Sequence, residues 1–105
     1  MQKIFILIIL LLSGSSSVAD LTKQCKNKKI TVYTKIHCVF CIKLKDFLIT
    51  NDVVFKEIDI SNNKILFSWL IKKTGAHTVP YVFLENEFIG GYTEFINKCS
   101  NKHRE

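Results

Sequence analysis

Cys38, Val39, Phe40 and Cys41 form a Cys-x-x-Cys spacing. Two thiols so placed at a helix start can close and open a small disulfide ring, which is the chemistry of thiol–disulfide exchange. The attacking species is a thiolate, and an ordinary cysteine is mostly protonated at neutral pH. Three features favour ionisation of Cys38. A helix start presents unpaired N–H groups and the positive end of the dipole. Lys35, three residues upstream, brings a cation close. His37 adds positive charge or a hydrogen bond when protonated. Cys41, one turn on, is expected to be the more buried thiol and to resolve a mixed disulfide at Cys38. Two other uses of the pair have less behind them. A zinc site completed by Cys25, Cys99 or a histidine lacks a second closely spaced pair. A purely structural bridge across so short a loop would stabilise little.

The surrounding pattern supplies elements to hold that pair. Lys29 to Thr34 alternates and is β-branched, as a strand does. Phe40 to Thr50 places Phe40, Leu44, Phe47 and Leu48 on one helical face, with Lys43, Lys45 and Asp46 outward. Val53 to Ile60 is a second strand. Ser61-Asn62-Asn63 caps a second helix, whose Ile65, Leu66, Trp69, Leu70 and Ile71 are expected in the core. Lys72, Lys73 and Gly75 stop it. Tyr81 to Leu84 and Glu87 to Ile89 read as strands joined by a turn at Glu85-Asn86, and Gly90-Gly91 breaks the chain. Thr93 to Cys99 reads as a last helix capped by Thr93. The order β-α-β-α-β-β-α makes the first two strands parallel and the last two antiparallel. The expected fold class is α/β: a mixed four-stranded sheet with helices on both faces, the thioredoxin-like architecture.

The chain has 105 residues, enough for one domain. Its first stretch reads as a signal peptide: a basic start at Lys3, an unbroken apolar run from Ile4 to Leu12, then Ser17-Val18-Ala19. The expected divisions are a signal segment over 1–19, a basic lead-in over 20–28 and the folded domain over 29–105. Cleavage near Ala19-Asp20 would export the protein to the periplasm or beyond, an oxidising compartment. Membrane contact is expected only if the segment stays uncleaved. Cys25 follows Lys23 and Gln24, unlike a lipid attachment site. Cys25 and Cys99 are left as a second pair, bridged or free. The formal charge is +6, and only Lys3 of the basic residues lies in the signal segment. A basic surface suits anionic partners, but no nucleic-acid motif is present. The polar tail from Ser100 is expected to fray.

Residues 29–99 resemble the glutaredoxin family in three segments whose order and separations agree. The first runs from Val32 to Cys41. The second is Thr74-Gly75-Ala76-His77-Thr78-Val79-Pro80, with a Thr-Val-Pro loop. The third is Phe88-Ile89-Gly90-Gly91. The resemblance implies a glutathione-dependent disulfide oxidoreductase with Cys38 as nucleophile and Cys41 as resolving thiol. It also implies a glutathione groove made by Lys35, Phe40, His77, Thr78, Val79, Pro80, Gly91, Tyr92 and Thr93. Within it, Lys35 pairs with a carboxylate of glutathione, the Val79 backbone bonds the tripeptide like an added strand, and a cis peptide precedes Pro80. Gly90 and Gly91 would let the backbone approach the ligand. The implied partners are glutathione as co-substrate and disulfide-containing or glutathionylated client proteins. No tightly bound cofactor or metal is implied, and a monomer is expected. A second reading within the family is a cluster- or metal-binding protein. The chain departs from the family at Val39, where proline is usual, at Phe40, which lacks a tyrosine hydroxyl, and at His77, where arginine is common. Thr93 stands where aspartate commonly holds the amino group of glutathione, a loss worth about 1–2 kcal/mol.

Overall fold

The computed structural model describes residues 23–100. The expected signal segment, its cleavage site and the tail beyond Ser100 lie outside the described residues. The elements are α1 (Lys23–Lys26), β1 (Ile30–Thr34), α2 (Val39–Thr50), β2 (Phe55–Asp59), α3 (Lys64–Thr74), β3 (Tyr81–Leu84), β4 (Glu87–Gly90) and α4 (Tyr92–Cys99). The sheet order is β2-β1-β3-β4. β1 runs parallel to β2 and antiparallel to β3, and β3 runs antiparallel to β4. This is the mixed four-stranded sheet expected from the order of elements. The short α1 was not anticipated, because four residues carry no helical period.

Alternation divides β1 and β3 between two cores. Ile30, Val32, Val82 and Leu84 face α2 and α4, where Leu44, Leu48 and Phe95 are fully buried. Tyr33, Tyr81 and Phe83 face α3 and pack with Leu70, Ile60 and Phe67. β3 is buried along its whole length because it has a strand on each side and a core on each face. The lead-in joins the first core through Cys25, which is buried and disulfide-bonded to Cys99 of α4 at a Cα–Cα distance of 5.7 Å. Of the two alternatives for that pair, the bridge is the one the structure contains.

Helix ends follow side-chain chemistry. Asn63 caps α3 by accepting from the Leu66 N–H at 3.0 Å. Gly75 ends it with φ +81°, a conformation that costs glycine little. α2 stops where the Asn51 side chain donates to the Phe47 carbonyl at 2.7 Å. Asp52 then turns left-handed at φ 57°, and the Val53 N–H reaches Leu48 O at 3.0 Å.

Three expectations about burial and capping are corrected. Phe40 is 51 % exposed and not packed in the core with Leu44 and Leu48, which agrees with the groove position that the resemblance implies for it. Trp69 and Ile65 are 46 % and 84 % exposed. A single helix over that face buries only Leu70 fully, with Leu66 and Phe67 partly buried beside it. α4 begins at Tyr92, and its cap is Gly91, not Thr93. The Gly91 N–H donates to Glu94 Oε1 at 2.8 Å, so a carboxylate in the first turn closes the helix end.

Candidate active site

β1 ends at the buried Thr34, and the chain reaches the surface in the turn at Ile36-His37 that leads into α2. The turn is pinned from behind: Ser61 Oγ accepts from the Ile36 N–H at 2.9 Å and donates to Asp59 Oδ1 at 2.6 Å. Hydrogen bonds from Ser61 hold the Asp59 carboxyl below its ordinary range. His37 follows in the left-handed region at φ 58° and turns the backbone so that Cys38 becomes the N-cap of α2. The helix is braced against the sheet by Glu57, whose Oε2 accepts from Thr34 Oγ1 at 2.7 Å and from Lys45 Nζ at 2.9 Å. Burial works upward on the Glu57 carboxyl, and the bonds from Lys45 and Thr34 outweigh it and hold it below its ordinary range.

Cys38 and Cys41 are joined as a disulfide with Cα atoms 5.2 Å apart. The two sulfurs are unequal. Cys41 is 1 % exposed and sits under the first turn, whereas Cys38 is half-buried at the surface. The Cys38 sulfur takes the place of a capping oxygen, accepting from the Cys41 N–H at 3.1 Å. When the bridge opens, that donor and the helix end favour negative charge on the sulfur. The sulfur also lies 3.9 Å from Val79 O, across a cis Val79–Pro80 peptide bond like that expected from the resemblance.

Beside the sulfur runs a shallow groove. Thr78, Val79 and Pro80 form one wall. Phe40 and Tyr92, with ring centroids 5.8 Å apart, form another. Gly91 and Thr93 complete it together with Glu94, which had not been anticipated. The signal for Glu94 was its position three residues after Gly91, the spacing of a capping box. Seven of the expected groove residues thus converge. Lys35 and His77 do not line the groove. The Lys35 ammonium lies 3.7 Å from the centroid of the Phe67 ring, and His77 is exposed. The glycines divide their work. A Cβ on Gly91 would meet Pro80 O at 3.4 Å, beside the groove, whereas one on Gly90 would fall 2.5 Å from Glu94 Cβ. Gly90 therefore makes room for α4, a use the sequence did not reveal. Cys25 and Cys99 bond to each other and are not offered to Cys38 and Cys41. Among the described residues no group of three or more His, Cys, Asp or Glu side chains gathers to hold a metal ion.

A Cys-x-x-Cys at a helix start, beside a cis-proline loop on this sheet, defines a thioredoxin-like thiol–disulfide oxidoreductase. Residues 30–89 match the glutaredoxin family model. Glutaredoxin-2 of Schizosaccharomyces pombe is 36% identical over 87 residues, covering 80% of this chain and 78% of that protein. Glutaredoxin 1 of Rickettsia typhi is 34% identical over 70 residues, covering 65% of this chain and 67% of that one. Among solved structures, the buckwheat glutaredoxin–glutathione complex superposes with a TM-score of 0.64 at 25% identity, covering 71% of this chain and 72% of the other. The holo form of glutaredoxin C1 from Populus tremula x tremuloides gives 0.63 at 29% identity, covering 72% and 82%. The chain belongs to the glutaredoxin family, the glutathione-dependent disulfide oxidoreductases.

Proposed function

We propose that this protein exchanges disulfides between glutathione and client proteins through Cys38 and Cys41, and that it acts outside the cytoplasm. The observation that carries the exchange reading is the inequality of the two bonded sulfurs, one half-buried at the surface and 3.9 Å from the carbonyl of the groove residue Val79, the other shut off from solvent. A glutathione thiolate attacks the Cys38 sulfur, the Cys38–Cys41 bond breaks, and Cys41 leaves with the electron pair and takes a proton. A second glutathione thiolate attacks the glutathione sulfur of the mixed disulfide. Glutathione disulfide forms, Cys38 leaves as the thiolate, and the pair has gained two electrons. Run in reverse from a client disulfide, the same steps reduce the client.

The groove suits the tripeptide. Val79 offers its backbone as an edge for an added strand, and Gly91 leaves the backbone uncovered. Glu94 supplies, one residue after Thr93, a carboxylate for the amino group of glutathione. Lys35 would turn from Phe67 to meet a carboxylate. Export rests on the signal-like run from Ile4 to Leu12 and on the buried Cys25–Cys99 bridge, a bond that an oxidising compartment preserves.

The test is mass analysis after incubation with glutathione and its disulfide. Cys41→Ser should accumulate one glutathione on Cys38, and Cys38→Ser should lose exchange activity. Undiminished exchange in Cys38→Ser would reject the assignment. Fractionation of the source cells checks export: recovery of the uncleaved chain in the cytoplasm would count against it.

A further inference from the structure

Four large apolar side chains lie exposed within the seven residues that carry the thiols: Ile36 at 62 %, Val39 at 64 %, Phe40 at 51 % and Ile42 at 54 %. The remaining exposed ones among the described residues are dispersed along the chain from Ile49 to Trp69. Phe40 belongs to the groove, but Ile36, Val39 and Ile42 do not line it. Glutathione, a short tripeptide with two carboxylates, leaves them without a task. Ile36 and Val39 flank Cys38 in the chain, and Ile42 follows Val39 by one helical turn, on the same side of α2. Exposed apolar clusters of this kind mark contact surfaces. The full charges that border them have one sign: Lys35 precedes Ile36, Lys43 follows Ile42, and no Asp or Glu occurs from Ile30 to Lys45.

We infer that Ile36, Val39 and Ile42 form a docking rim for an extended polypeptide whose disulfide cysteine is flanked by apolar residues, with acidic residues farther out. The inference rests on the exchange reading and names the client class of that same site. Continuity with the reactive atom selects the occupant, because a partner bonded to the Cys38 sulfur must lie across the residues on either side of it. The Cys38 thiolate attacks one client sulfur, the client S–S bond breaks, and the departing client thiolate takes a proton. The Cys41 thiolate then attacks the Cys38 sulfur and releases the second client thiolate, so the client gains the two electrons that the dithiol loses. Flanking side chains that bury Ile36 and Ile42 hold the client during attack.

The dithiol form of the protein is mixed with one equivalent of probe, and single-turnover exchange is followed by acid quench and mass analysis. The probes are glutathione disulfide and two cyclic disulfide peptides with identical acidic ends. One peptide has Leu and Ile beside its cysteines and the other has Ser. The apolar-flanked peptide should react about tenfold faster than its Ser counterpart. Ile36→Ser/Ile42→Ser should erase that preference and leave the glutathione disulfide rate within about twofold. Should the double variant unfold, Ile36→Ser alone, altering an exposed turn residue, should reduce the preference about threefold. Equal peptide rates in the wild type, or a preference unchanged in the folded variant, overturn the docking rim while leaving exchange standing. Failure of wild-type protein to react with glutathione disulfide overturns the exchange reading instead. A dimer in sedimentation that the double variant dissolves assigns the rim to a second copy of the chain and overturns the polypeptide reading.

Discussion

Cys38 uses one sulfur for two purposes, capping α2 and presenting the reactive atom. The two can be separated. Cys38→Ser keeps an oxygen that accepts from the Cys41 N–H, and Cys38→Ala keeps nothing. Both lose the bridge, so their difference isolates the cap: the Ala variant should be about 1 kcal/mol less stable than the Ser variant in urea unfolding. Equal midpoints would show that the sulfur does not cap. Gly90 was legible as a break in the chain, but its purpose was not. It sits at φ +136°, where an added Cβ would stand 2.5 Å from Glu94 Cβ. Gly90→Ala should therefore destabilise the protein by about 1–3 kcal/mol and displace Glu94 from the groove. Thermal unfolding and glutathione KM should both move, and a change in KM alone would mean that the strain is relieved locally.

Two elements carry the dithiol, and their mutual position depends on a small polar cluster at their base. Glu57 on β2 binds Lys45 of α2 and Thr34 at the end of β1. Its folded pKa lies below the ordinary value of 4.5, so its stabilising contribution is full above about that pH and fades as pH falls through the lower folded value. Glu57→Gln should cost about 0.5–1 kcal/mol at neutral pH. The gap between the two proteins should close as the pH drops below 4.5, because protonated Glu57 resembles Gln. Urea unfolding at several pH values reads this directly, and a gap constant with pH would count against the assignment. The strands and helices themselves were largely legible. Alternation in 30–34 and the caps at Asn63 and Gly75 are local, and local chemistry survives folding. The helical period of 65–71 misled, because it marks apolar positions without saying how wide a face the sheet will cover. One helix covers the face shared by Tyr33 and Phe83, leaving Ile65 exposed and Trp69 half-exposed at the edge of a hollow that it lines with both aromatics.

The described part of the chain is closed by the bond that ties α1 to α4 through Cys25 and Cys99, which are 74 residues apart in sequence. A loop that long restricts the unfolded chain strongly, so Cys25→Ser/Cys99→Ser should lower stability by about 2–4 kcal/mol in chemical unfolding. A loss below about 1 kcal/mol would show that the packing of Phe95 and Leu44 holds α4 without it. The type and spacing of residues were sufficient to read the Cys-x-x-Cys chemistry, the order of elements and the family. Each depends on neighbours in the chain or on a pattern that recurs with the fold. Folding in three dimensions was needed to pair Cys25 with Cys99 and to bring Glu94 into the groove while Lys35 rests on Phe67. Those outcomes depend on distances between segments far apart in sequence, and only the packed sheet sets such distances.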